Sequence, residues 1–164
     1  MKKLGLVGGM GPESTIPYYH DIVYGVQEAL GKSIFPELSI ESVNVFEVLR
    51  LCGEKQYDKL TEYLLGAINN LAKSGADFAA LSANTPHIVF DKLKEQSPIP
   101  LISIVEATCE EAKFRGLKKI GLLGTIFTYI DERKRKEKKQ IEDLMYYDKV
   151  TNLPNKTKFL EDLN

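Results

Sequence analysis

The sequence predicts an α/β fold built on a parallel sheet, and three observations predict it. Short apolar runs recur along the chain, each ending in a glycine-rich or polar loop. Stretches with helical apolar spacing lie between them. The connections are short. Strands alternating with helices over short loops are the pattern of a parallel sheet covered by its crossover helices.

Leu4 to Val7 is a brief apolar run that stops at Gly8-Gly9, which reads as a buried strand and a tight loop. Ser14 is the expected N-cap of a helix running to about Leu30, with Pro17 in its first turn and Gly31 as its stop. Leu38 to Val45 is the second strand, with Ile40, Val43 and Val45 as apolar members. Tyr57 to Lys73 is a helix, because Leu60, Leu64, Ala67, Ile68 and Leu71 share one face, and Ser74-Gly75 ends it. Phe78 to Leu81 is the third strand. A polar loop, Ser82 to His87, follows, and a short helix through Phe90 and Leu93 stops near Ser97-Pro98. Leu101 to Ile104 is a fourth strand, Val105 to Arg115 a helix closed by Gly116, and Ile120 to Leu123 a fifth strand.

Composition excludes several classes. The 164 residues carry 22 Lys plus Arg against 23 Asp plus Glu, a net charge of −1, which disfavours a nucleic-acid or membrane-surface binder. No stretch is long and apolar enough to span a bilayer. The two cysteines, Cys52 and Cys109, have no metal-type spacing, so no metal site and no disulfide framework are expected, and a cytoplasmic location is the default. Cys52 reads as core. Cys109 sits among Glu106, Glu110 and Glu111, carboxylates that would raise a thiol pKa and disfavour a nucleophile.

Ligands of parallel sheets sit at the carboxyl ends of the strands. Three polar loops are expected there: Gly9 to Ser14, Ser82 to His87, and Gly124 to Thr128. Gly9-Met10-Gly11-Pro12-Glu13-Ser14 only partly matches a dinucleotide fingerprint. Its third glycine position is serine, and Pro12 removes a backbone donor. The same turn serves equally as a plain strand-to-helix connection or as a cradle of amides for a carboxylate. In Ser82-Ala83-Asn84-Thr85-Pro86-His87, Asn84 and Thr85 are able to donate to an amino acid, and equally able to cap the loop. His87 reads as a helix-start residue bonded to backbone rather than as an acid or base.

These loops carry a resemblance. The run from Gly5 to Tyr19, the pair Gly75-Ala76-Asp77-Phe78 and Ala83-Asn84-Thr85-Pro86-His87, and the run Ile120 to Thr128 resemble the aspartate/glutamate racemase family in three motifs in the family's order. The resemblance implies a three-layer, flavodoxin-like lobe, the first of two with substrate between them. It implies cofactor-independent inversion at the α-carbon of a small dicarboxylic amino acid, by one base on each lobe acting from opposite faces. Carried over by motif, Met10, Gly11, Thr15, Asn44, Asn84, Thr85 and Pro86 line the substrate site.

The sequence departs from the family's pattern in two places. The first base, usually cysteine and in some members threonine, is Ala83, which accepts no proton; Ser82 beside it is a weak substitute. A second lobe with its own cysteine is not expected within residues 129–164. The expectation is therefore a racemase-family chain that is inactive by itself, or alternatively a non-catalytic dicarboxylate-binding lobe or fusion remnant with a regulatory tail. An unmatched apolar face favours a homodimer. After Thr128 the chain becomes charged from Asp131 to Gln140, and Tyr147 to Asn155 resembles the opening of a GGDEF domain after a PAS-type linker. Domains are thus expected at 1–128, the racemase-type lobe, and 129–164, a helical extension with a truncated second start.

Overall fold

A computed structural model describes residues 1–31 and 33–119. The chain divides into two compact units, residues 1–107 and 108–164. The expected fifth strand, the third polar loop and the whole tail from residue 129 lie outside the described residues.

Among the described residues four strands, β1 (Leu4–Gly8), β2 (Leu38–Ser42), β3 (Phe78–Leu81) and β4 (Leu101–Ile102), form a parallel sheet in the order β2-β1-β3-β4. This is the order of flavodoxin-like sheets. The helices are α1 (Pro12–Leu30), α2 (Val45–Gly53), α3 (Tyr57–Lys73), α4 (Phe90–Gln96) and α5 (Ile104–Phe114), with a 3₁₀ turn at Thr85–Val89 before α4. The first unit holds the sheet and α1 to α4.

Alternation along β1 places helices on both faces. A Cβ at Gly5 would stand 3.0 Å from Leu71 Cβ on α3, whereas one at Gly8, of opposite parity, would stand 2.6 Å from Thr15 Cγ2 on α1. The three layers are therefore α1, the sheet, and α3. Leu60, Leu64, Ile68 and Leu71 of α3 are fully buried, together with Leu6, Val7, Ala79 and Leu81 of the strands. Each large apolar side chain so buried contributes about 1.5–3 kcal/mol.

Four local expectations are corrected. The first helix begins at Pro12, with Gly11 as N-cap and no side-chain cap, so Ser14 lies inside the helix. Proline suits the first helical position because its missing N–H has no partner to lose there. Pro17 consequently falls in the second turn and offers no amide to the Glu13 carbonyl; both residues are exposed, where solvent serves. The second strand stops at Ser42 rather than Val45, because the Asn44 side chain accepts from Phe46 N–H (2.9 Å) and starts a helix. That helix, α2, has no counterpart in the sequence reading, although Val48, Leu51 and Cys52 keep helical spacing and are buried. The fourth strand is two residues long, with α5 starting at Ile104.

Candidate functional site

In a sheet of this order the connections from β1 and β3 run in opposite directions, which opens a crevice at the carboxyl ends of these two neighbours. The loops after β1, β2 and β3 meet there.

The first loop depends on glycine. Gly9 has φ +79°, and a Cβ there would lie 2.4 Å from the Val43 carbonyl oxygen, so no other residue fits without moving backbone. Val43 N–H in turn donates to the Gly8 carbonyl (3.0 Å), which locks the loop after β2 against the end of β1. Met10 is buried, at 8% exposure. Gly11, at φ +75°, carries the start of α1, and its carbonyl accepts the N–H groups of Ser14 (3.1 Å) and Thr15 (3.4 Å). Glu13 Oε2 lies beside this glycine, 3.4 Å from where a Cβ would be.

The third loop is pinned to the first through side chains of α1. Ser82 is 1% exposed; its N–H donates to the Val7 carbonyl (3.0 Å). Ser14 Oγ lies 2.8 Å from the Gly11 carbonyl oxygen and 3.1 Å from that of Ser82, so its single proton bridges the two loops. Thr15 Oγ1 accepts from Gly9 N–H (2.9 Å) and lies 3.3 Å from Ser82 Oγ. The Ser82 hydroxyl, read from the sequence as a weak stand-in base, is thus buried and bonded inside the lobe.

Ala83 follows at the mouth, half-buried, with a methyl group as its whole side chain. Its carbonyl bonds His87 Nδ1 at 2.9 Å. A carbonyl only accepts, so Nδ1 carries the proton. The imidazole is 1% exposed and stacks on Phe90 at 4.9 Å between ring centroids. His87 therefore holds the loop from behind, as the backbone-bonded reading expects. Asn84 is exposed, its carbonyl accepts from His87 N–H (2.9 Å), and its side chain makes no capping bond. The capping alternative for Asn84 is thereby removed. Thr85 is half-buried and Pro86 buried at the start of the 3₁₀ turn.

Asn44, in the second loop, is exposed, and its Oδ1 is engaged in capping α2. Its N–H donates to the Tyr63 hydroxyl (3.0 Å). Neither the Tyr63 contact nor the Ser14 bridge is legible in the sequence. Tyr63 sits in the middle of a helix with no local signal of a loop contact, whereas Ser14 reads as a helix cap.

Three loops thus converge at the switch point of an α/β lobe, two of them cross-linked by hydroxyls. The family model for Asp/Glu/hydantoin racemases matches residues 7–161. The broad specificity amino-acid racemase RacX of Bacillus subtilis (strain 168) is 30% identical over 126 residues, covering 74% of this chain and 54% of that protein. An aspartate racemase homologue from Pyrococcus horikoshii OT3 superposes with a TM-score of 0.76 at 33% identity, covering 100% of this chain and 69% of that one. Glutamate racemase from Aquifex pyrophilus shares the fold, with a TM-score of 0.58 at 19% identity over 87% of this chain and 51% of that one. This chain belongs to the Asp/Glu/hydantoin racemase family. It spans about half, 54%, of the length of RacX.

Proposed function

We propose that this lobe binds a small amino acid at the β1/β3 switch point, as one side of a cofactor-independent racemase-type site, and that residue 83 supplies no base. The observation that carries this is Ala83 itself: the loop architecture around it is intact, and its side chain has neither proton nor lone pair to exchange. Inversion at an α-carbon needs proton removal on one face and return on the other. Ala83 leaves one face without its acid–base group, so binding rather than inversion is the role of this lobe. The family resemblance favours a dicarboxylic amino acid such as aspartate or glutamate, handled in the cytoplasm. The Met10, Gly11, Asn84 and Thr85 positions serve its polar groups. Self-association into a homodimer belongs to the same reading. Among the described residues no helix is long and apolar enough to cross a membrane.

A second reading widens the substrate. Among the described residues 9–15, 42–46 and 82–87 there is one carboxylate, Glu13, and no lysine or arginine. A side-chain carboxylate brought here meets a like charge and, in these loops, no cation. Amino acids with neutral or basic side chains suit that field better, and the relative RacX is described as broad in specificity.

Titration calorimetry with aspartate, glutamate, alanine and lysine tests both. Heat from aspartate or glutamate supports the first reading, and preference for alanine or lysine supports the second. No heat from any of the four at millimolar concentration removes the binding role.

A further inference from the structure

We infer that Thr15 is a positioning residue and not a contact for the ligand: it is the clasp that sets the Ser82-Ala83 strand end against the glycine loop. The family resemblance puts Thr15 in the substrate site; the hydrogen-bond arithmetic moves it behind that site. A threonine hydroxyl has one proton and two lone pairs. Gly9 N–H takes one lone pair at 2.9 Å. The one proton goes to the Gly11 carbonyl or to Ser82 Oγ, each 3.3 Å away. Either way the proton and one lone pair are used within the lobe, and a ligand carboxylate would have to displace one of these bonds.

The methyl group completes the clasp. A Cβ at Gly8 would lie 2.6 Å from Thr15 Cγ2, so the missing side chain at residue 8 is what gives the threonine its seat. One side chain thus fixes the ends of two strands: β1 through Gly8 and Gly9, and β3 through Ser82. Residue 83 takes its place relative to the glycine loop from this contact. The Ser14 hydroxyl, bonded to the carbonyls of Gly11 and Ser82, spans the same gap but leaves the Gly9 amide untouched. That difference makes Gly9 a private reporter of Thr15.

The inference rests on the binding role proposed above for its functional consequence, but its structural content is tested without any ligand. Amide hydrogen exchange on the full chain compares Thr15→Val, which keeps shape and removes the hydroxyl, with Thr15→Ser, which keeps the hydroxyl. Loss of one net hydrogen bond corresponds to about tenfold faster exchange at Gly9 in Thr15→Val. Thr15→Ser stays near the parent rate. Ser82→Ala cuts only the link to β3, so Gly9 protection persists while affinity for the amino acid that binds the parent chain falls by about tenfold. Unchanged Gly9 exchange in Thr15→Val, or a Thr15→Ser variant as impaired as Thr15→Val, overturns the clasp. Should Thr15→Val not fold, unaltered affinity in Ser82→Ala overturns it instead. If the parent chain binds none of the four amino acids, the binding role fails alone, and the exchange rates in Thr15→Val and Thr15→Ser still decide the clasp.

Discussion

The backbone amide of Asn44 donates to the phenolic oxygen of Tyr63, 3.0 Å away, so that a residue in the middle of α3 holds the loop following β2. Asn44 meanwhile caps α2 with its side chain. The two bonds are separable. Tyr63→Phe is expected to destabilise the chain by about 0.5–1.5 kcal/mol. Asn44→Ala is expected to cost about 1 kcal/mol through the lost cap. Urea unfolding curves on both variants measure this; a Tyr63→Phe midpoint equal to the parent's would mean that solvent replaces the phenol without loss.

Glycines split into two groups with opposite responses to alanine. Gly9 has positive φ and a backbone oxygen in the way, so Gly9→Ala is expected to destabilise by at least about 1 kcal/mol and to disturb the loop at the switch point. Gly25 lies inside α1, where an added Cβ meets nothing within 4 Å. Gly25→Ala is expected to stabilise by about 0.8–1 kcal/mol, the helix-propensity difference. Thermal unfolding of the pair checks the contrast, and a destabilised Gly25→Ala would point to an unseen contact on that helix face.

Cys52 is fully buried on α2, and burial pushes its thiol above the ordinary cysteine value. The folded state therefore holds this proton at pH values where the unfolded chain, at about 8.5, releases it. Proton binding is then greater in the folded state, so stability falls as pH rises past the unfolded value. Burial raises Tyr18 too, with the same sign at higher pH. The expected outcome is a loss of stability between about pH 7 and about pH 9.5 that is smaller in Cys52→Ala. Denaturant midpoints at the two pH values test it, and identical slopes would clear Cys52 of any part in the alkaline loss.

Ala83→Cys places a thiol at the mouth of the crevice without disturbing the His87 bond, which uses the backbone carbonyl. The expected result is exchange of the α-proton of a bound amino acid in deuterated water, seen by NMR; no exchange would mean that residue 83 does not face the α-carbon. Chiral chromatography on the same variant reads whether a group on the opposite face returns the proton.

Much of this architecture can be read from residues alone, and the parts that cannot share a cause. β1, α3 and β3 are written in periodicity and in flanking glycines, which act locally. α2 and the early end of β2 depend on whether Asn44 extends a strand or caps a helix, and its neighbours Val43 and Val45 favour the strand. Tertiary contacts, Val43 to Gly8 and Asn44 to Tyr63, decide that choice. At the site, Asn84, Ala83 and the glycine loop are all legible in the sequence. Their linkage through Thr15, Ser14 and Ser82 is not, because residues 14 and 82 are distant in sequence and their hydroxyls look alike whether they face a ligand or the backbone.

The place of β1 between β2 and β3 has a consequence for the order of events during synthesis. β1 is translated before both of its partners, Leu4 pairing with Leu38 on one side and Phe78 on the other. A nascent chain that has reached only β2 holds a two-stranded parallel pair with one edge of β1 bare, and such a pair has little independent stability. The edge stays open until β3 clears the ribosome, a period in which another strand can add to it. Ribosome pausing between the codons for α2 and β3 would lengthen that exposure.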